Sequence, residues 1–424
     1  MLEVLRVGSH LVLLFVQAVL LQLVWTQPAY LDSRRVRWTR ISLLPLTLGV
    51  LFSNHAAMKD HPGIVRQFKV NLGCTFAGQL FKSILLAFTR PSAAEVAQTR
   101  EAPQGLSAPA TLVQAALLVV NGSSNPAKQP KLVTEGPNHT VRADLVFLLS
   151  TIRRMLVLNS FGLLGLYCWK SVHDDRLVGR YPMLKRYEAQ MTAVVWGLFC
   201  WTGIDLTGCL VRLAAFASKS VHRLLAPAIP SHRLPAAPDF SRVDLEQTCP
   251  FLFANSPLEA SSISAFWGRH WHTVLQGLFV EAGAVPLTSL VRWAFGTHKP
   301  PPKLLRLSGI IGAFAVSAIM HEVGVWSAGP FDRRLRTSVF FLSQGVAVCL
   351  ESAFKSLSGQ RVTGPLGRIW TFAWLIFFGT PMIDAWLENL TYDKQKMFDE
   401  AERLGFWRML FTPLILPKLI FSRD

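Results

Sequence analysis

IIGAFAVSAIMHEVGVW, residues Ile310 to Trp326, is apolar throughout except for one adjacent ionisable pair, His321 and Glu322. Taken from Leu307, the run is long enough at 1.5 Å rise per residue to cross the hydrocarbon core of a bilayer. Similar runs occupy Leu11–Trp25, Leu145–Trp169, Met191–Ala217, His272–Phe295, Thr337–Phe354 and Ile369–Leu387. Three weaker runs accompany them. Ile41–Ser53 is short and holds Pro45, and so reads as tilted or re-entrant. Gln67–Phe88 carries Lys69 and Lys82 and reads as interfacial, and Phe406–Phe421 is interrupted by Pro413 and Pro417. The expected fold class is all-α, a multi-spanning membrane protein of about eight or nine helices.

Composition agrees. The 424 residues are 51% hydrophobic and only 16% charged, against about 25% charged in soluble domains. Thirteen tryptophans suit a chain with two bilayer interfaces. The net charge of +17 would suggest nucleic acid in a soluble protein. Here the basic residues sit mainly in connectors between apolar runs. There they fit cytosolic topology, anionic headgroups or an anionic cosubstrate, and no nucleic-acid partner is expected. The six cysteines show no CxxC spacing and read as small apolar residues rather than a disulfide framework or zinc site.

The chain divides at about residue 142. Residues 1–142 are expected to form N-terminal membrane anchors followed by a flexible polar loop at about 90–142, rich in Ala, Pro, Gln and Ser. No small-x-small cleavage site precedes Arg34, Arg35, Arg37 and Arg40, so the first helix reads as a retained anchor with that cluster in the cytosol. Residues 143–424 form the membrane core. Its connectors 298–306 and 332–336 are both basic although one helix separates them. Either one element is re-entrant or one connector is folded into the protein. Sequons at Asn121, Asn138 and Asn389 mark possible glycosylation only weakly.

Two polar islands carry the chemistry. A charged side chain at the bilayer centre costs about 2.5–3.5 kcal/mol on insertion scales, so His321 and Glu322 are expected to face a cavity or a partner. A neutral imidazole is cheaper to bury and can still take a proton from an alcohol. A histidine that merely bonds a neighbouring helix is the alternative. Metal chemistry fails on spacing: His321-Glu322 opens like HExxH, but the fifth position is Val325. The second island is Phe266-Trp267-Gly268-Arg269-His270-Trp271-His272. Arg269 can fork onto a phosphate or carboxylate, Trp267 and Trp271 can stack on it or on a ligand, and Gly268 permits unusual backbone or close approach. An aromatic-belt anchor with a snorkelling arginine is the alternative. Asp205, Glu281, Glu351 and Asp384 also lie in apolar runs and are expected to pair structurally.

The run CPFLFANSPLEASSISAFWGRHWH, Cys249 to His272, resembles the signature of wax-synthase-like membrane-bound O-acyltransferases. Ser256, Pro257, Glu259 and Ala260 match its Ser-Pro-x-Glu-Ala element, and Ser317, His321 and Glu322 match its downstream Ser-x-x-x-His-Glu pattern. The likeness is specific over 249–272 and 313–324 and loose over the first 140 residues. It is strongest to fungal O-acetyltransferases acting on terpenoids and meroterpenoids. The resemblance implies tilted helices around an internal chamber, in the endoplasmic reticulum. It implies acyl-CoA (acetyl-CoA) as cosubstrate with no permanently bound cofactor and no metal, and a lipophilic alcohol arriving from membrane lipid. By the same likeness His321 corresponds to the catalytic histidine and His272 to the second active-site position. Trp267, Gly268, Arg269, His270, Trp271, Ser317 and Glu322 then position substrate. A long-chain-alcohol wax-ester synthase is the near alternative. A proton-coupled transporter is the distant one, since intramembrane His, Asp and Glu also mark ion paths; no internal repeat supports it.

Overall fold

The computed structural model describes residues 9–62, 64, 66–101, 115, 119, 123–125, 140–225, 240–390 and 403. No strand occurs among them, and eight helices are long and apolar enough to cross a membrane. These are α1 (Ser9–Thr26), α2 (Arg34–Asp60), α3 (Arg66–Phe88), α4 (Val141–Val172), α5 (Glu188–Leu225), α6 (Pro302–Ala328), α7 (Arg336–Ser358) and α8 (Gly364–Leu390). The chain is an all-α, multi-spanning membrane protein. The run Phe406–Phe421 and the sequons at Asn121 and Asn138 lie outside the described residues.

The chain forms two compact units. The first comprises Met1–Gln129 and Thr273–Ser352, the second Pro130–His272 and Ala353–Asp424.

In the first unit α3 and α6 run antiparallel in close contact. Gly73 lies against Gly324 and Ser327, and Gly78 faces Met320. A Cβ at Gly73 would overlap Ser327, and one at Gly324 would overlap Cys74. Small residues thus let two backbones approach, the usual means of packing helices in lipid. This overturns the interfacial reading of α3. Lys82 is only 2% exposed, and its ammonium donates to the Ser123 carbonyl at 2.9 Å. Lys69 likewise donates to the Lys59 carbonyl.

Two further expectations fail in this unit. α2 is one 27-residue helix that continues through Pro45, not a short re-entrant element. The basic cluster is its first two turns rather than a connector. Arg40 turns inward and donates to the carbonyls of Leu86 (2.8 Å) and Thr89 (3.1 Å), which α3 leaves without helical partners at its C-terminus. The run His272–Phe295 is helical from Gln276 to Ala294, continuous through a π turn at Val280–Ala284. Gly283 in that π turn packs so closely on Gly312 of α6 that a Cβ on either would meet the other's carbonyl.

The polar stretch 90–142 is more ordered than expected where it is described. Ser92 and Glu95 form a reciprocal capping box for a helix at Ala93–Glu101. Ser123 and Ser124 are buried and clasp the Glu281 carboxylate through both hydroxyls and one backbone N–H. In the basic connector 332–336, Asp332 is buried while Arg333 and Arg334 are exposed. Asp332 accepts the Arg336 guanidinium at 3.0 Å and the N–H groups of Arg334 and Arg336. Burial opposes its charge, but the Arg336 bonds hold the carboxyl below the ordinary aspartate value.

The second unit pairs α4 with α5 around a line of buried charge. Asp205, Arg212 and Lys219 recur every seven residues on α5 and are at most 3% exposed. Arg154 donates twice to Asp205, at 2.9 and 2.6 Å. Arg212 bonds Thr151 and Glu246 and lies between the rings of Phe147 and Phe251, with centroids at 3.9 and 3.8 Å. Lys219 pairs with Asp144, which also takes Arg223. Three of these cations hold successive loop carbonyls. Lys219 binds that of Val243, Arg212 that of Cys249, and Arg154 that of Phe253. Unpaired, such charges would be prohibitive; bonded this way they fix an irregular segment to two regular helices. The six cysteines form no disulfide.

Candidate active site

His321 lies in the first unit, five turns into α6. Its Nδ1 stands 2.8 Å from the Ser317 carbonyl one helical turn earlier. A carbonyl only accepts, so Nδ1 carries the hydrogen and the lone pair belongs to Nε2. The ring is fixed in plane by stacking on Phe341 of α7, with centroids 4.1 Å apart and planes 24° apart. Ser317 therefore contributes a backbone acceptor that sets the tautomer. Glu322 does not reach the imidazole. Its Oε2 accepts the Ser338 N–H (3.0 Å) and hydroxyl (2.8 Å), capping the start of α7.

FWGRHWH lies in the second unit. Ser262 caps a single helical turn, which passes into a π turn at Phe266–His270, closed by the Trp271 N–H on the Phe266 carbonyl at 2.7 Å. π turns are rare and redirect side chains within a helix. Here Trp271 stacks on Phe266 (5.4 Å, 23°) and meets Trp267 and Phe253 edge-on. His272 follows in extended chain, against Phe253 at 5.8 Å and Trp271 at 5.8 Å. Burial lowers its imidazole pKa to about 4, so the ring is neutral at physiological pH.

The Ser-Pro-x-Glu-Ala element has a structural explanation. The Ser256 hydroxyl caps the turn Pro257–Glu259, and its carbonyl accepts His270 Nδ1–H at 2.7 Å. Asn255 holds the Arg269 carbonyl at 3.3 Å. His270 thus ties one motif to the other. Pro257 and Ala260 are buried, whereas Glu259 is exposed. Arg269 is exposed, and no ion pair engages it among the described residues. Gly268 has no positive φ, and a Cβ at this position would meet no heavy atom within 4 Å. Neither backbone conformation nor protein packing demands glycine there.

The structure therefore groups Trp271 and His272 around Phe253, with Trp267 against Phe266 and Trp271, and separately places Ser317, His321 and Glu322 on α6. The Arg154–Asp205 pair behind Phe253 was not legible as part of the site. A seven-residue spacing of charged residues in α5 was the available signal.

These arrangements lie within the segment that known proteins share. Residues 249–343 match the membrane bound O-acyl transferase family. A probable long-chain-alcohol O-fatty-acyltransferase of Arabidopsis thaliana is 28% identical over 103 residues, 24% of this chain and 29% of its own length. An acyl-CoA–sterol O-acyltransferase of the same plant is 29% identical, over 25% of this chain and 29% of its own. An acetyltransferase of Hericium erinaceus is 30% identical over 131 residues, 28% and 31% of the two chains. The chain spans less than half the length of each of these relatives. The resemblance read from Cys249–His272 and the Ser-x-x-x-His-Glu pattern is borne out, because the O-acyl transferase match contains both. It also contains the π-turn helix within 273–295 and the start of α7, so the matched region begins in one compact unit and ends in the other. No cluster of metal-ligating side chains occurs among the described residues.

Proposed function

We propose that this integral membrane protein transfers an acyl group from acyl-CoA to the hydroxyl of a lipophilic acceptor. The observation that carries the reading is the fixed tautomer of His321, an imidazole in an apolar helix with its lone pair on Nε2. Nε2 takes the proton of the acceptor hydroxyl as its oxygen attacks the thioester carbonyl. The C–S bond then breaks and the thiol of CoA leaves with a proton. A positioned base of this kind contributes about 10²–10⁴-fold. His272, neutral through burial, retains one N–H to donate to the developing oxyanion. Trp267 and Trp271 flank the thioester, and exposed Arg269 meets an anionic group of CoA.

For the substrates we favour acetyl transfer to a terpenoid-type alcohol in the endoplasmic reticulum membrane. The support is the form of the FWGR-x-WH motif and the likeness to fungal proteins named acetyltransferases. The names of the plant relatives favour a second reading, a long fatty acyl group passed to a long-chain alcohol. Thiol release by the purified protein, with acetyl-CoA or palmitoyl-CoA and a terpenoid alcohol or hexadecanol, separates these. Release that depends on both partners is expected. Its absence with all four pairings would overturn the acyltransfer reading and return attention to transport.

A further inference from the structure

A second feature of α6 lies away from His321. Ile319, Glu322, Val323 and Trp326 recur at helical spacing on one stripe and, with Phe331, Leu335 and Ser338, line a groove of about 330 Å³. The walls are apolar and open outward: Ile319, Trp326, Phe331 and Leu335 are each between 39 and 50% exposed. Its polar group is different in kind. Glu322 is only 6% exposed; Oε2 is satisfied by Ser338, while Oε1 is buried and has no hydrogen-bond partner among the described residues. His321 projects from α6 about 100° from Glu322, by the 3.6-residue turn, and stacks on Phe341. The groove and the imidazole thus occupy different faces of α6.

We infer that this groove is a lipid-facing site for a membrane-borne molecule with an apolar body and a free hydroxyl, bound through Glu322 Oε1 and distinct from the reaction centre. An orphaned buried carboxyl oxygen calls for a partner. A hydroxyl serves whether the carboxyl is ionised or protonated, because it both donates and accepts. A charged headgroup would have to leave water for apolar walls, which burial disfavours. The volume falls at the small end of pockets that enclose drug-sized ligands, enough for a ring system or a short length of chain but not for a whole phospholipid. Occupancy would complete the bonding of the carboxylate that caps α7, and would couple bilayer content to the helix that carries Phe341.

The test uses the full chain in phosphatidylcholine nanodiscs with a diazirine-bearing hexadecanol and its methyl ether. Crosslinks are mapped by mass spectrometry, with α8 residues Ile369 and Phe377 (65 and 72% exposed) as a lipid-facing reference. The alcohol is expected to label residues 319–338 about tenfold more than the ether, the factor one good hydrogen bond supplies. Ile319→Trp, which fills the groove from its exposed rim, is expected to reduce that labelling to the α8 level while thiol release persists. Equal labelling by alcohol and ether, or labelling of 319–338 no greater than of α8, overturns the inference. Labelling unchanged in Ile319→Trp overturns it as well. None of the three overturning outcomes depends on whether the chain transfers acyl groups.

Discussion

The two histidines that carry the proposed chemistry are held by opposite means. His321 stands on an unbroken helix, its tautomer set by a carbonyl one turn back and its plane by one aromatic ring. His272 stands on irregular backbone between a π turn and the helix that starts at Gln276, and is positioned by aromatic packing. That irregular backbone is held by α5 and its neighbour α4, whose inward-turned arginines grip the loop carbonyls of Cys249 and Phe253. The contrast teaches that a base on a regular helix can be placed by a bond one turn back and a ring on the next helix. A group meant to sit where the chain must bend needs support from distant, buried charge.

Removing His321 tests the first half of that contrast most severely. His321→Ala should lower acyl transfer by about 10²–10⁴-fold or more without lowering the thermal unfolding temperature, as thiol release and a melting curve would establish. Near-normal turnover in a folded His321→Ala protein would remove the proposed base. Arg154→Ala attacks the second half. It leaves Asp205 buried and unpaired, with an expected cost of about 3–5 kcal/mol in stability. Arg154→Lys should recover only part of this, since an ammonium cannot reproduce the paired Nε and Nη2 bonds of the guanidinium to Asp205. If both variants melt like the parent, the loop is not held as described.

His272→Asn should cost less than His321→Ala, about 10²-fold, while retaining a side-chain donor. Its pH profile is the sharper reading. Because burial lowers the His272 pKa to about 4, the acid limb it controls should lie near that value rather than near 6.5, and should vanish in His272→Asn. The sign for folding follows. With the folded value below the unfolded one, this ring takes stability away progressively as pH falls below about 6.5. The smallest effects compare two glycines. Gly73→Ala must displace Ser327 and should cost about 1–3 kcal/mol. Gly268→Ala meets nothing and should leave the melting temperature unchanged or slightly raised. Loss of activity in that folded variant would place a ligand beside residue 268.

Much of the membrane architecture was legible in the sequence, because the cost of exposing polar groups to lipid is paid residue by residue and hydropathy reads it locally. That reasoning found α1 and α4 through α8 to within a few residues or turns and marked His321 as anomalous. It failed where compensation comes from far along the chain. Pro45 reads as a break, yet α2 continues through it. Lys82 reads as an interfacial residue, yet Ser123, 41 positions later, satisfies it inside the protein. Nothing in the apolar run 272–295 marks its π turn, which close packing at Gly283 and the clasp on Glu281 accompany. Composition and motif spacing thus determined the class of the protein and which residue types are available for chemistry. Which buried charges are neutralised, by which partners, and where the backbone bends to present His272, were decided by tertiary structure, because those interactions join residues that no local window contains.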